Sequence, residues 1–429
     1  MDQLVKILDD IESSKWPTAE YEVMLTGVTV NNTKFSQLSL FVSYDAGGSL
    51  RLSCADEAAI KNALEHDGDL KLTASNLQGT AKLWSRFVPS DYYDGFSLDL
   101  VAEAGSVSLL NGTTLDRIEA TVVNGPLLFK KNIIDFEAGE FNLSYRQFKN
   151  ITNEKMSKAG RVKTNIATGR VVLSRVDGGE ICLNEANEKL EEFRRFLTMV
   201  RGRYCGLGNS FFYSGTNMVG AKLGFTKVDS LVLLEGWYDW DLDHQLSDIF
   251  IRYSSATAEE AKSEVLYLAV EFYRSANAVR STSSELAIVA SFTCLEVLVP
   301  FVLSEYAGWS TNLMSQKNVP FSDKLSAALS RIDLVGNPFE HLTKLQQRSA
   351  AENDRSAPEI IALFRNRIVH QGKNFEYSGS ELLEVWNLSQ WICELLIFFI
   401  IGYGGEMYDR RKYTGFHGPP VKMPIARII

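Results

Sequence analysis

The sequence predicts an α+β protein, with an N-terminal antiparallel β-sandwich or barrel-like domain followed by a C-terminal all-α helical bundle. Two observations carry this. Short segments with period-two alternation or β-branched enrichment recur through the first half, separated by turn clusters such as DAGG, DGD and NGTT. From about Asp243 onward the apolar residues change to helical spacing. Strand side chains alternate between two faces and helix side chains recur every three to four residues, so a change of period marks a change of architecture.

In order, strands are expected over residues 23–30, 38–44, 49–54, 80–88, 96–103 and 117–123, with FNLSYRQF and GRVVLSRV continuing the pattern. ADEAAIKNALEHDGD, residues 55–69, reads as one inserted helix with Gly68 as its stop. NEKLEEFRRFLTMVRGRYCG, residues 187–206, reads as a helix closed by glycine, after which GNSFFYSG and GAKLGFTKVDSLVLLEGWYDWD return to strand character. Residues 185–245 are either the last part of the first domain or a linker packed against it. Helices follow near 258–281, 284–304, 320–333, 357–371 and 379–403. The fourth has Ser356 as a candidate cap, Pro358 in its first turn and Gly372 just past its end. The domain reading is therefore a β-rich sensing or recognition domain over 1–245, with its boundary anywhere within 185–245. A helical domain over 246–405 and a tail over 406–429 complete it.

The formal net charge of −9 is mild, and its acid excess falls in the first 250 residues. That excludes coating nucleic acid by bulk charge and leaves room for a local basic site. The five cysteines are odd in number and far apart, with no CxxC and no zinc-site spacing, so reduced thiols and no structural metal are expected. The leading MDQLVKILDDIESSKW lacks the basic region and long apolar core of a signal peptide, which points to the cytoplasm. Two apolar stretches, LAIVASFTCLEVLVPFVL and LLIFFIIGY, read as buried helices and not as membrane spans. Glu296 and Pro300 interrupt the first, and a central carboxylate opposes insertion by about 2.5–3.5 kcal/mol; the second is too short to cross. GxxxxGK[ST], GxSxG and HExxH are absent, and CGLGNS is not a dinucleotide loop.

One stretch carries chemistry: FRNRIVHQG, residues 364–372. Asn366 and His370 are four apart and share a helix face, with Arg365 on its flank. The imidazole falls in the last turn, where the negative end of the helix favours its protonated form by about 0.3–1 kcal/mol. A guanidinium can grip a phosphate through two hydrogen bonds, and an imidazole can give or take a proton near neutral pH. The structural alternative is a histidine that only caps the helix beside a surface arginine. Glu296, within FTCLEVLVPF, reads as a carboxylate that needs a cation, with Arg365 or Arg367 as candidates; a neutral Glu296 or one at a solvent-facing edge stays open.

The apolar helix with SFTCLEVL, then FSDKLSAAL, then RNRIVHQG, resembles the HEPN domains, in particular the ApeA-like branch of prokaryotic anti-phage proteins. The resemblance covers roughly residues 250–405, and Arg365, Asn366 and His370 match the family's Arg–polar–spacer–His signature in order and spacing. The β-rich half is similar in pattern to the domain that precedes HEPN in ApeA-like proteins. The resemblance implies a metal-independent endoribonuclease acting in abortive-infection defence, without cofactor, on an RNA substrate. It further implies two HEPN domains face to face, here a homodimer, and a phage-derived trigger. Arg365 would hold the scissile phosphate, His370 would act as acid or base, and Asn366 would orient them, with Glu296 and Arg367 in support. Two other readings remain: a non-catalytic dimeric HEPN-fold binding module, and a ligand-binding β-sandwich with a helical oligomerisation domain.

Two further features stay open. EGWYDWDLDHQ, residues 235–245, is either packing at a domain junction or a ligand or metal site built on its aspartates and His244. The tail, with Arg410, Arg411 and Lys412 in a row, is either solvated or an RNA- or partner-contacting segment.

Overall fold

The computed structural model describes residues 115–426 apart from 130–131, 150, 163–164, 226–227, 233–235, 317, 371–375 and 413–418; before residue 115 it describes the backbone of seven strands. The helix expected over 55–69 lies outside the described residues. Two compact units form, the first from Met1–Arg194 with Tyr204–Leu233, the second from Arg195–Arg203 with Leu234–Ile429. An antiparallel β region thus precedes a helical one, an α+β layout.

The seven strands are β1 (Tyr21–Val30), β2 (Thr33–Val42), β3 (Leu50–Ser53), β4 (Asp69–Ala74), β5 (Leu77–Ser85), β6 (Leu100–Ala102) and β7 (Val107–Leu110). After them come β8 (Arg117–Val123), β9 (Ile133–Ala138), β10 (Phe141–Gln147), α1 (Asn153–Val162), β11 (Ala167–Arg175), α2 (Leu183–Arg201), β12 (Gly206–Ser214) and β13 (Asn217–Phe225). They pair in the order β4-β1-β2-β3-β6-β5-β7-β13-β12-β8-β11-β10-β9, and β4 also pairs with β5. Six strands therefore make a closed circuit of antiparallel pairs, β1-β2-β3-β6-β5-β4, and the other seven extend from β5. In β10 the alternation has its expected consequence, with Phe141, Leu143 and Tyr145 buried and Asn142 and Ser144 half-exposed. Phe136 of β9 meets Phe193 of α2 edge to face at 5.1 Å, so α2 contributes to the core of this unit.

The second unit holds a 3-10 turn at Trp240–Gln245, then α3 (Leu246–Thr257), α4 (Glu260–Val279), α5 (Ser284–Ala307), α6 (Thr311–Met314) and α7 (Phe321–Arg331). It continues with α8 (Thr343–Ala351), α9 (Ala357–His370), α10 (Gly379–Ile400) and the short pair β14 (Glu406–Met407) and β15 (Val421–Lys422). Every expected helix here is present. The short polar helices α6 and α8 had no counterpart among the expected elements, and neither did α3, although Leu246, Ile249, Phe250 and Tyr253 recur at helical spacing within it.

α5 is central, packing on α4, α7, α9 and α10. Ser283 caps it by accepting from the Leu286 amide, and Gly308 closes it at φ 69°, a left-handed conformation that costs a glycine little. Pro300 removes one backbone donor, yet the helix continues to Ala307. α10 is buried at every position from Val385 to Ile400. Both α5 and α10 are long and apolar enough to cross a membrane, but 56% and 89% of their apolar windows are buried inside the protein, the pattern of core helices.

The start of α10 is a capping box: Ser378 accepts from the Glu381 amide and Glu381 accepts from the Ser378 amide at 2.7 Å. Glu381 also takes the Arg348 guanidinium at 2.7 Å. Ser378→Ala is expected to destabilise the unit by about 1 kcal/mol, read as faster amide exchange in the first turns of α10.

After α10 the chain folds back onto the bundle. Tyr408, Asp409, Arg410, Arg411, Met423 and Ile425 are buried, the Tyr408 amide donates to the Trp237 carbonyl at 2.8 Å, and Val335 donates to Pro424 at 2.9 Å. The reading of Arg410 and Arg411 as a solvated or RNA-contacting tail is therefore corrected. Arg411 forks onto Asp409 at 2.9 and 2.7 Å and lies 3.7 Å over the Trp391 ring, while Arg410 pairs with a buried glutamate.

Candidate functional site

The fourth expected helix is the spine of the site. At its start the Ser356 amide and hydroxyl both donate to Glu359, at 2.8 and 2.7 Å, and these bonds hold the Glu359 carboxyl below its ordinary range. Ile360, Ile361, Leu363 and Phe364 bury one face of α9, while Asn366, Arg367, Val369 and His370 remain exposed and Arg365 is half-buried. Gly372 lies outside the described residues.

A cavity of about 780 Å³ opens where α9 meets α5 and the start of α7, within the size range of small-molecule sites. From α9 it takes Arg365, Asn366 and Arg367, and from α5 it takes Phe292 and Glu296. Phe321 of α7 is the second aromatic wall, its ring 4.6 Å from that of Phe292. The Arg365 guanidinium sits 5.1 Å from the Phe292 ring centroid and donates to the Asn366 carboxamide oxygen at 3.2 Å. Ring face and amide together restrict a long side chain that would otherwise sample many rotamers.

Four of the five sequence-predicted residues thus gather at one cavity. His370 does not line it. It ends α9, exposed, five residues beyond Arg365 and so about 7.5 Å further along the axis. Of the readings left open for Glu296, the one at a solvent-facing edge is the one the structure bears out, not the buried ion pair: Glu296 is exposed, and no ion pair joins it to Arg365 among the described residues. On a helix buried mainly along other faces, position 296 falls on the side turned to the cavity, four residues after Phe292.

Two further charged residues line the cavity, Arg355 and Glu359. With Ala362 and Asn366 they follow spacings of four, three and four, Arg355 lying two residues before the start of α9. The spacing is visible in RSAPEIIALFRNRIVH once the cavity-facing side is read with the same period as the apolar one.

The EGWYDWDLDHQ cluster is packing. Trp237 and Tyr238 are buried, Asp239 accepts from the Trp240 amide at 2.8 Å, and Asp241 accepts from the Tyr408 hydroxyl at 2.6 Å. Burial raises the Asp239 carboxyl. No grouping of His, Cys, Asp and Glu able to hold a metal occurs among the described residues.

One cluster had no counterpart in the sequence reading. Glu394 of α10 is 2% exposed, accepts from the Tyr273 hydroxyl at 2.6 Å, and pairs with Arg410 at 3.0 Å. The Arg410 guanidinium also lies 4.8 Å over the Trp386 ring. Burial pushes the Glu394 carboxyl up to about 7, against the pull of Arg410 and Tyr273. The signal available was a single glutamate in WNLSQWICELLIFFI; its partner lies sixteen residues on, past the helix end.

With this geometry in place, residues 259–418 match the family described as the YopA C-terminal domain. The chain is 23% identical over 318 residues, 71% of each chain, to the SPbeta prophage-derived uncharacterized protein YopA of Bacillus subtilis (strain 168). The matched span contains α5, α7 and α9, and hence the whole cavity. No solved structure matches the chain.

Proposed function

We propose that this protein is a metal-independent HEPN endoribonuclease of the cytoplasm, acting in anti-phage defence as a homodimer. The observation that carries this is the Arg365–Asn366 pair, held at a cavity wall by the Phe292 ring, with an exposed imidazole one turn further along the same helix. The guanidinium grips the scissile phosphate and the charge that develops on it. The ribose 2′-oxygen attacks phosphorus as its proton passes to an imidazole. The bond from phosphorus to the 5′-oxygen breaks, and that oxygen takes a proton from a second imidazole. The products carry a 2′,3′-cyclic phosphate and a 5′-hydroxyl.

Because His370 stands outside the cavity of its own subunit, the chemistry needs a second copy to bring another α9 alongside. The β-rich unit then serves as the sensor of a phage-derived trigger. That a relative is prophage-derived supports a role in conflict between phages. The same position of His370 favours one second reading, a dimeric HEPN-fold module that binds without cutting. End-labelled RNA incubated with the protein in excess EDTA separates them. The nuclease yields cyclic-phosphate ends from a species that sediments as a dimer; products with 5′-phosphates, or cutting only with added divalent metal, would sink the mechanism.

A further inference from the structure

Glu296 is a charged residue of the cavity to which the phosphodiester chemistry gives no step. It faces the same space as Arg365, yet it makes no hydrogen bond or ion pair among the described residues. The other carboxylate there, Glu359, is held by the amide and hydroxyl of Ser356. Against these two stand Arg355, which also pairs with Glu352 at 4.0 Å, Arg365 and Arg367, so the lining carries three guanidinium groups to two carboxylates and can take a phosphate while still presenting the Glu296 carboxylate. Phe321 lines the same cavity as Glu296, half-buried, with its ring against that of Phe292. An aromatic wall, a carboxylate and a surplus of guanidinium groups are the three contacts that an unstacked nucleotide uses: its base face, its hydrogen-bonding edge and its phosphate.

The carboxylate selects among the bases. Its two oxygens only accept. On their Watson–Crick edges adenine and cytosine place an acceptor nitrogen next to their single amino donor, and uracil flanks its one donor with two carbonyls. Guanine alone places two donors, N1–H and N2–H, side by side, at the separation of a carboxylate's oxygens. Its other edge, O6 and N7, is the preferred target of an arginine fork. We propose that the cavity holds a guanosine of the RNA strand, its base against Phe321 and its N1–H and N2–H on the Glu296 carboxylate. This rests on the nuclease reading for the strand itself, and makes Glu296 a specificity residue of the same site.

The test measures binding, which does not depend on cutting. The wild-type full chain is titrated calorimetrically with GMP, IMP, AMP, CMP and UMP. The full-length His370→Ala protein is titrated with an oligouridine RNA carrying one guanosine, and with the same RNA carrying adenosine instead. GMP is expected to bind on the order of tenfold tighter than AMP, with IMP, which lacks the 2-amino group, in between. Glu296→Gln, an isosteric change at an exposed position, removes most of that preference. The guanosine RNA is expected to bind more tightly than GMP, because neighbouring phosphates add contacts. Equal affinity for the mononucleotides, no binding of GMP, or an unchanged preference in Glu296→Gln overturns the base assignment. GMP binding more tightly than the RNA overturns the strand assignment in favour of a free nucleotide. RNA cutting without any base preference defeats this inference and leaves the nuclease standing. Guanine preference in a protein that cuts no RNA defeats the nuclease and leaves the pocket.

Discussion

Arg365→Ala and His370→Ala are each expected to lower RNA cleavage by about 10²-fold or more, with the fold unchanged. The magnitude follows from what each group supplies: a positioned acid or base contributes roughly 10²–10⁴, and one donor to a developing anionic charge roughly 10²–10³. The absence of a structural effect follows from placement. His370 is exposed at the end of α9, and Arg365 is half-buried, with a ring contact and one amide bond as its structural ties. Losing the ring contact costs about 0.5–1 kcal/mol, too little to unfold the unit. Arg365→Lys sharpens the test. It keeps the charge but loses the two-pronged grip, so cleavage falls nearly as far as in the alanine variant if the fork is what matters. Digestion of labelled RNA, with circular dichroism of each variant, reads both quantities. Cleavage that persists in both alanine variants puts the chemistry elsewhere.

How far this site was legible in the sequence depends on range. The RNRIVH stretch is local, and helix geometry alone places Asn366 and His370 on one face, so it could be read before any fold was known. The α9 punctuation was legible for the same reason: Ser356 and Pro358 act within one turn. Whether Glu296 is buried or exposed stayed open because its sequence neighbours, Cys294, Leu295, Leu298 and Val299, are all buried, and a linear apolar run hides a single exposed position. The ambiguity is one of angle around the helix axis, which depends on which neighbours α5 packs against. Arg410 and Arg411 were misread. Three consecutive basic residues look solvated, and only the return of the chain over α10 brings Glu394 and Trp391 to them. In the β-rich unit most strands were legible from alternation, but β4, β7, β9 and α1 had no counterpart in the expected elements, and the strand order was not legible, since β1 pairing with β4 and β13 pairing with β7 are long-range choices.

That hidden pair yields the second large effect. Glu394→Ala or Arg410→Ala is expected to destabilise the helical unit by about 3–5 kcal/mol, because each removes one side of a buried ion pair. Removing both together, as Glu394→Leu with Arg410→Met, is expected to cost much less than the sum, and double-mutant analysis of the four proteins measures the difference. The same carboxyl sets a pH dependence. Burial raises Glu394 from its ordinary value to about 7 in the folded protein. Between roughly pH 4.5 and 7 the native state therefore binds a proton that the unfolded chain has released, so stability falls as pH rises through that window. Below it both states are protonated and above it both are ionised, and the contribution is level. The total is on the order of 3 kcal/mol, from about 2.5 pH units at 1.36 kcal/mol each. With two compact units a single unfolding midpoint is not well defined, so the measurement is amide exchange in α10, corrected for the intrinsic dependence on pH. Glu394→Gln keeps the shape and cannot ionise, so its α10 protection is expected to be flat across the window. A slope as steep as that of the unaltered protein would mean that another group, not Glu394, takes up the proton.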